Sequence, residues 1–157
     1  MISLEEIRDI ECKKLTAQIR KVGSSQYVIL VCHLYIDHLL DRYILASTKN
    51  DVGFTGKNGL SFNNKLRMLH AIDGIDPQLK DGLEKLNKIR NDLVHEFGHE
   101  LPNSKIEELG RTLGKDYNDI ATSTQGGYEE ILIKVGVFIC GQLGFYTFTA
   151  EGYESKV

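Results

Sequence analysis

Between Gln26 and Ser47 the chain contains neither glycine nor proline, and Val28, Val31, Leu34, Tyr35, Leu39, Tyr43 and Ile44 recur at the three- and four-residue spacing of a helix. A strand cannot keep such a set on one face, because its side chains alternate with a period of two. A helix of that length runs roughly 33 Å at 1.5 Å per residue. Its apolar surface must be covered, so the remainder of the chain is constrained to supply elements that pack on it.

The flanking segments meet that demand. Ser3 followed by Glu5 and Glu6 has the form of a capped helix start, with Leu4, Ile7, Leu15 and Ile19 as its apolar stripe. Gly23-Ser24-Ser25 breaks this helix and is placed to cap the next. Gly53, Gly56 and Gly59 make Lys49 to Gly59 a loop, after which Ser61 caps a short helix through Ile72 with Phe62, Leu66 and Leu69 inward. Asp76-Pro77 opens a further helix, an acidic cap ahead of a proline whose missing N–H is not needed in the first turn. That helix is expected to reach about Phe97, with Gly98 as its stop. Ile106 and Leu109 mark a short helix, Gly110 and Gly114 punctuate the stretch, and Thr122 to Gly127 reads as loop. Tyr128 to Phe148 is rich in β-branched and aromatic residues, so strand pairing also fits it. Gly136, Cys140 and Gly144 nevertheless form a small-residue stripe at four-residue spacing, which suits close helix packing, and one C-terminal helix is expected.

With two prolines in 157 residues, the expectation is one domain over residues 1–157, an all-α up-and-down bundle of about five or more helices. The chain has no tryptophan, so Leu, Ile, Val, Phe and Tyr must fill the core. A net charge of −3 argues against a general nucleic-acid coat, since phosphate neutralisation dominates such binding; any nucleic-acid contact must be a local basic patch. Cys12, Cys32 and Cys140 are odd in number and lack metal or disulfide spacing, which fits buried thiols in a reducing cytoplasm. The first residues carry no apolar signal core, and a cytoplasmic location is expected. Lys134 and Gln142 interrupt Ile131 to Ala150 as a membrane span, so no membrane partner is expected either.

The chemistry concentrates in the helix opened by Pro77. Placed at about 100° per residue, Leu79, Leu83, Leu86, Leu93, Val94 and Phe97 share a face, and Arg90 falls near its middle. A guanidinium in an apolar stripe is unfavourable unless it meets a carboxylate, a phosphate or water. Asp37 and Asp41 of the preceding long helix are available as such partners. His95 lies about 140° around from Arg90, on a polar stripe with Asn87 and Asn91. One straight helix therefore does not aim both groups at one atom, and a groove across the helix end or a second subunit would be needed.

The run Leu86-Asn87-Lys88-Ile89-Arg90-Asn91-Asp92-Leu93-Val94-His95 resembles the Arg-x4-His signature of HEPN domains. Ser61 to Leu69 and the Val28 to Ile44 helix resemble the helices that precede that signature, so the likeness covers roughly Gln26 to Phe97. Many HEPN proteins are metal-independent ribonucleases and toxins of defence or toxin–antitoxin systems, active as homodimers with the motif at the shared cleft. The resemblance thus implies an RNA endonuclease without cofactor or metal, with an antitoxin or regulatory protein as a further partner. In these terms His95 moves a proton at the ribose 2′-OH or the leaving 5′-oxygen. Arg90 holds the scissile phosphate, Asn91 orients His95 or the phosphate, and Lys88 and Lys85 supply backbone contacts.

Two other readings use the same residues. Some HEPN proteins are non-catalytic dimeric adaptors or regulators, in which Arg90 would pair with a carboxylate and His95 would cap its helix. His95-Glu96-Phe97-Gly98-His99 also fits the H-E-x-x-H pattern of zinc peptidases. Against zinc, Pro102 and Lys105 stand where the extended pattern wants glycine and histidine, and a ligand such as Glu107, Glu129 or Glu130 has no support. His33, Asp37 and Asp41, at i, i+4 and i+8, read as a solvated or interfacial polar stripe rather than a metal site, and His70 as an ordinary helix-end histidine.

Overall fold

A computed structural model describes all residues except 1, 22, 49, 51, 52, 97–99, 156 and 157. Among the described residues the chain forms seven helices and no strand: α1 (Leu4–Arg20), α2 (Ser25–Ser47), α3 (Phe62–Ala71), α4 (Pro77–His95), α5 (Asn103–Arg111), α6 (Lys115–Ser123) and α7 (Gly127–Ala150). The expected all-α class is therefore observed.

Local chemistry accounts for most boundaries. Ser3 and Glu6 form a reciprocal capping box at α1. Ser61 accepts the Asn64 N–H at α3, and Asp76 accepts the Leu79 N–H at 2.8 Å ahead of Pro77 at α4. Gly23 adopts φ +71°, the left-handed turn that separates α1 from α2. Ser24 is the N-cap of α2, but its side chain makes no capping bond, contrary to expectation.

The centre of the bundle is α2, which touches α1, α3, α4 and α7, most extensively α7. Ile36, Leu39, Leu40 and Ile44 are fully buried there, alongside Leu66 and Leu69 of α3, Leu83 and Leu86 of α4, and Leu132, Val135 and Leu143 of α7. Each such side chain contributes about 1.5–3 kcal/mol of hydrophobic stabilisation. The small-residue stripe works as the spacing suggests: a Cβ on Gly136 would stand only 2.7 Å from Cys32 Sγ, so the glycine lets α7 approach α2. Cys32 and Cys140 are buried, Cys12 is half-buried, and all are free thiols. By length and composition α7 could cross a membrane, yet 56 % of its most apolar window is buried inside the bundle.

The C-terminal third departs from the expected loop at Thr122 and from the expected role of Gly110. Thr122 and Ser123 are not loop but the end of α6, a helix the apolar pattern does not announce. It is held by tertiary contact: Tyr117 lies so close to Gly110 that a Cβ there would overlap its ring. Gly110 is accordingly a packing residue inside α5 rather than punctuation, whereas Gly114 (φ +59°) is the turn. α4 runs to His95 with Glu96 as its C-cap, and the expected reach to about Phe97 and stop at Gly98 lie outside the described residues.

Candidate functional site

Leu79, Leu83, Leu86 and Ile89 are buried and set the rotation of α4. That rotation turns Asn87 inward, leaves Arg90 and Asn91 half-buried, and brings the polar stripe to the surface at His95, which is exposed in the last turn. Val94, expected on the inward face, is 51 % exposed, because the helix is ending there and no neighbour covers it.

Arg90 donates from Nη1 to Asn91 Oδ1 at 3.0 Å. Its Nε–H is buried and meets no acceptor among the described residues. The carboxylates that might have neutralised it are occupied. Lys65, 3 % exposed, stands 2.7 Å from Asp37 and 2.7 Å from Asp41. The Asp37 contact is a hydrogen bond; Asp41 Oδ1 lacks hydrogen-bond angles and is compensated by the ammonium charge alone. Burial works against the Lys65 charge, but the two carboxylates outweigh it and raise its pKa. The His33–Asp37–Asp41 stripe is interfacial: its partly exposed acids hold Lys65 of α3, and its buried histidine meets α4.

His33 stacks on Phe62 with centroids 4.5 Å apart and shares a 2.9 Å hydrogen bond between Nε2 and Asn87 Oδ1. Burial lowers its pKa below the ordinary 6.5, the Arg90 charge adds to this, and the Asn87 bond and Asp37 oppose it. The ring is thus neutral at pH 7. Asn87 in turn donates from Nδ2 to Asn63 Oδ1 at 3.0 Å. The chain His33–Asn87–Asn63 crosses from α2 through α4 to α3, ending at the solvent-exposed Asn63.

The two lysines assigned to RNA face different neighbours. Lys85 pairs with Glu108 of α5 at 3.3 Å. Lys88 is exposed and lines a groove of about 430 Å³ between α3 and α4, with Asn63, Arg67, Glu84, Asn87, Asn91 and Asp92. A larger cleft of about 610 Å³ lies between the end of α1 and the start of α7, but its Arg20 is already paired with Glu130 at 2.8 Å. Asn91 is found orienting Arg90 rather than His95. His99 of the zinc pattern lies outside the described residues, and α4 does not continue past His95 to carry a helical pair. Among the described residues no three His, Cys, Asp or Glu side chains converge as a metal-ligand set. His70 is exposed in the last turn of α3.

Asn63 and Arg67 complete the site but do not stand out in the sequence, whereas His33 and Phe62 are visible there only as a polar stripe and an inward aromatic. Asn87 carries a partial signal, since an amide one turn before Arg90 on a helix with a buried face has to find a partner.

Compared with known proteins, the chain matches no family model, no curated protein and no solved structure.

Proposed function

We propose that this protein is a HEPN-like, metal-independent RNA endonuclease acting as a homodimer in the cytoplasm, in the manner of a toxin or defence effector. The observation that carries the proposal is Arg90: a half-buried guanidinium whose Nε–H meets no acceptor among the described residues, with His33 close enough to feel its charge and with Asp37 and Asp41 committed to Lys65. Such a group lacks an anion, and a phosphodiester supplies one with the fork geometry that arginine matches.

In this reaction the ribose 2′-oxygen attacks the adjacent phosphorus and the P–O5′ bond breaks. The 2′-proton is taken up and the 5′-oxygen receives a proton, with His95 performing one of the two transfers. Arg90 stabilises the charge that grows on the phosphoryl oxygens, held in position by Asn91. Because His95 stands about 140° around α4 from Arg90, the pair is best completed across two protomers. Tyr27, Leu34 and Leu45, on one outward face of α2, are 52 %, 70 % and 44 % exposed and offer an apolar surface for the second copy. The same surface favours a second reading, a non-catalytic adaptor whose partner is a regulatory protein or antitoxin.

The test is cleavage of a labelled single-stranded RNA in EDTA. Activity that leaves 2′,3′-cyclic phosphate and 5′-hydroxyl ends is expected. Absence of cleavage across RNA substrates, or activity that requires added metal, would overturn the proposal.

A further inference from the structure

The α3–α4 groove sits beside the motif on the same stripe of α4 that ends at His95: Glu84, Asn87, Lys88 and Asn91 line it, and His95 follows one turn later. Its volume of about 430 Å³ falls in the range of roughly 300–1,000 Å³ typical of small-ligand clefts. What it offers follows from the hydrogen-bond chain beneath it. A neutral His33 that bonds a carbonyl oxygen must donate its Nε2 proton, so Asn87 Oδ1 is consumed as acceptor. Asn87 Nδ2 then donates to Asn63 Oδ1, which turns the oxygen of Asn63 inward and leaves both N–H groups of its exposed amide unpaired among the described residues. Asn91 ends the same way, because its Oδ1 accepts from Arg90. With the amides in this orientation, the exposed end of the chain turns its NH₂ toward the groove.

Arg67 and Lys88 add two cations, and neither has an ion-pair partner among the described residues. Of the two acids in the groove, Glu84 is held by Lys80 at 2.8 Å. Among the described residues Asp92 has no cation on it, and its carboxylate is an acceptor. Two amide donors, two free cations and one hydroxyl acceptor match a sugar–phosphate backbone whose ribose carries a 2′-OH.

We infer that the α3–α4 groove is a binding subsite for the RNA strand beside the cleavage point, with Arg67 and Lys88 on a phosphate, the Asn63 and Asn91 amides on phosphate or base oxygens, and Asp92 on a ribose hydroxyl. This rests on the nuclease reading for its substrate, and it places the functional surface on α3 as well as α4.

The test is fluorescence anisotropy with a labelled 12-nucleotide single-stranded RNA, using His95→Ala protein so that the probe stays intact. Adding Arg67→Ala or Lys88→Ala, both at exposed positions, is expected to weaken binding on the order of tenfold each and to lower the salt dependence by about 0.7 per lost phosphate contact. Asn63→Asp, which replaces the terminal donor by a carboxylate, is expected to weaken binding at least as much. Binding that is indifferent to Arg67 and Lys88, or no binding of the RNA, overturns the inference. The cleavage assay on wild-type protein judges the nuclease reading separately: RNA binding that depends on Arg67 without any cleavage sinks the nuclease and keeps the groove. Cleavage with Arg67-independent binding does the reverse.

Discussion

Replacing His95 by alanine is expected to slow RNA cleavage by roughly 10²–10⁴-fold, the usual loss when a general acid or base is removed. Arg90→Ala is expected to cost on the order of 10²–10³-fold, comparable to losing one preorganised donor at a developing anionic charge. Arg90→Lys should recover little, since an ammonium keeps the charge but not the fork. Neither effect comes through the fold. His95 is exposed at a helix end, so its side chain bears no packing. Arg90 carries a buried Nε–H without an acceptor, and deleting it removes a desolvated polar group. Thermal unfolding of Arg90→Ala at or above the wild-type midpoint, together with lost cleavage, is the expected signature of a residue held for chemistry rather than stability. A drop of many degrees in Tm, or cleavage at the wild-type rate, would remove Arg90 from the proposed role.

The largest stability effect is expected at Lys65. Lys65→Met keeps the length of the side chain and leaves Asp37 and Asp41 facing each other across the site of a lost charge. Breaking a fully buried pair costs roughly 3–5 kcal/mol; with the Asp37 side chain 41 % exposed and that of Asp41 24 % exposed, about 2–4 kcal/mol is expected here. Urea unfolding at pH 7 checks it. The sign with pH follows from the raised pKa: both folded and unfolded Lys65 are protonated at neutral pH, so the contribution is complete there. It fades only as pH rises above the ordinary 10.5 and through the folded value. Adding Asp37→Asn and Asp41→Asn to Lys65→Met should return much of the loss, because the uncompensated charges go with it. A loss below about 1 kcal/mol would show that solvent already neutralises the acids.

Helix-forming information is local, and it was legible. The Ser3, Ser61 and Asp76 caps, the apolar run of α2 and the small-residue stripe of α7 each depend on residues within a few turns of one another. Arg90 could likewise be singled out, because a charge at an apolar position shows in the spacing alone. What Arg90 meets could not be read, since Asp37 and Asp41 of α2 go to Lys65 of α3, a pairing between helices that the spacing within one helix does not show. The partner of His33 is hidden for a similar reason: Asn87 is 54 residues away, and periodicity carries no information about which helix faces which. The helix α6 was missed because it has no fully buried residue and is held by Tyr117 and Ile120 packing sideways on the core. Lys85 and Lys88 look equivalent in sequence, but only the rotation of α4 sends one to Glu108 and the other to the groove.

The central claim, that Arg90 and His95 form one composite RNA-cleaving site between two protomers, is tested most directly by mixing the two inactive variants. Equal amounts of Arg90→Ala and His95→Ala protein, re-equilibrated as dimers, place half the molecules in mixed pairs. In each mixed pair one site has both residues intact and the other has neither. Metal-free cleavage at about one quarter of the wild-type rate is predicted for sites shared across the interface. A mixture as inactive as its components, from proteins shown to exchange subunits, would contradict it.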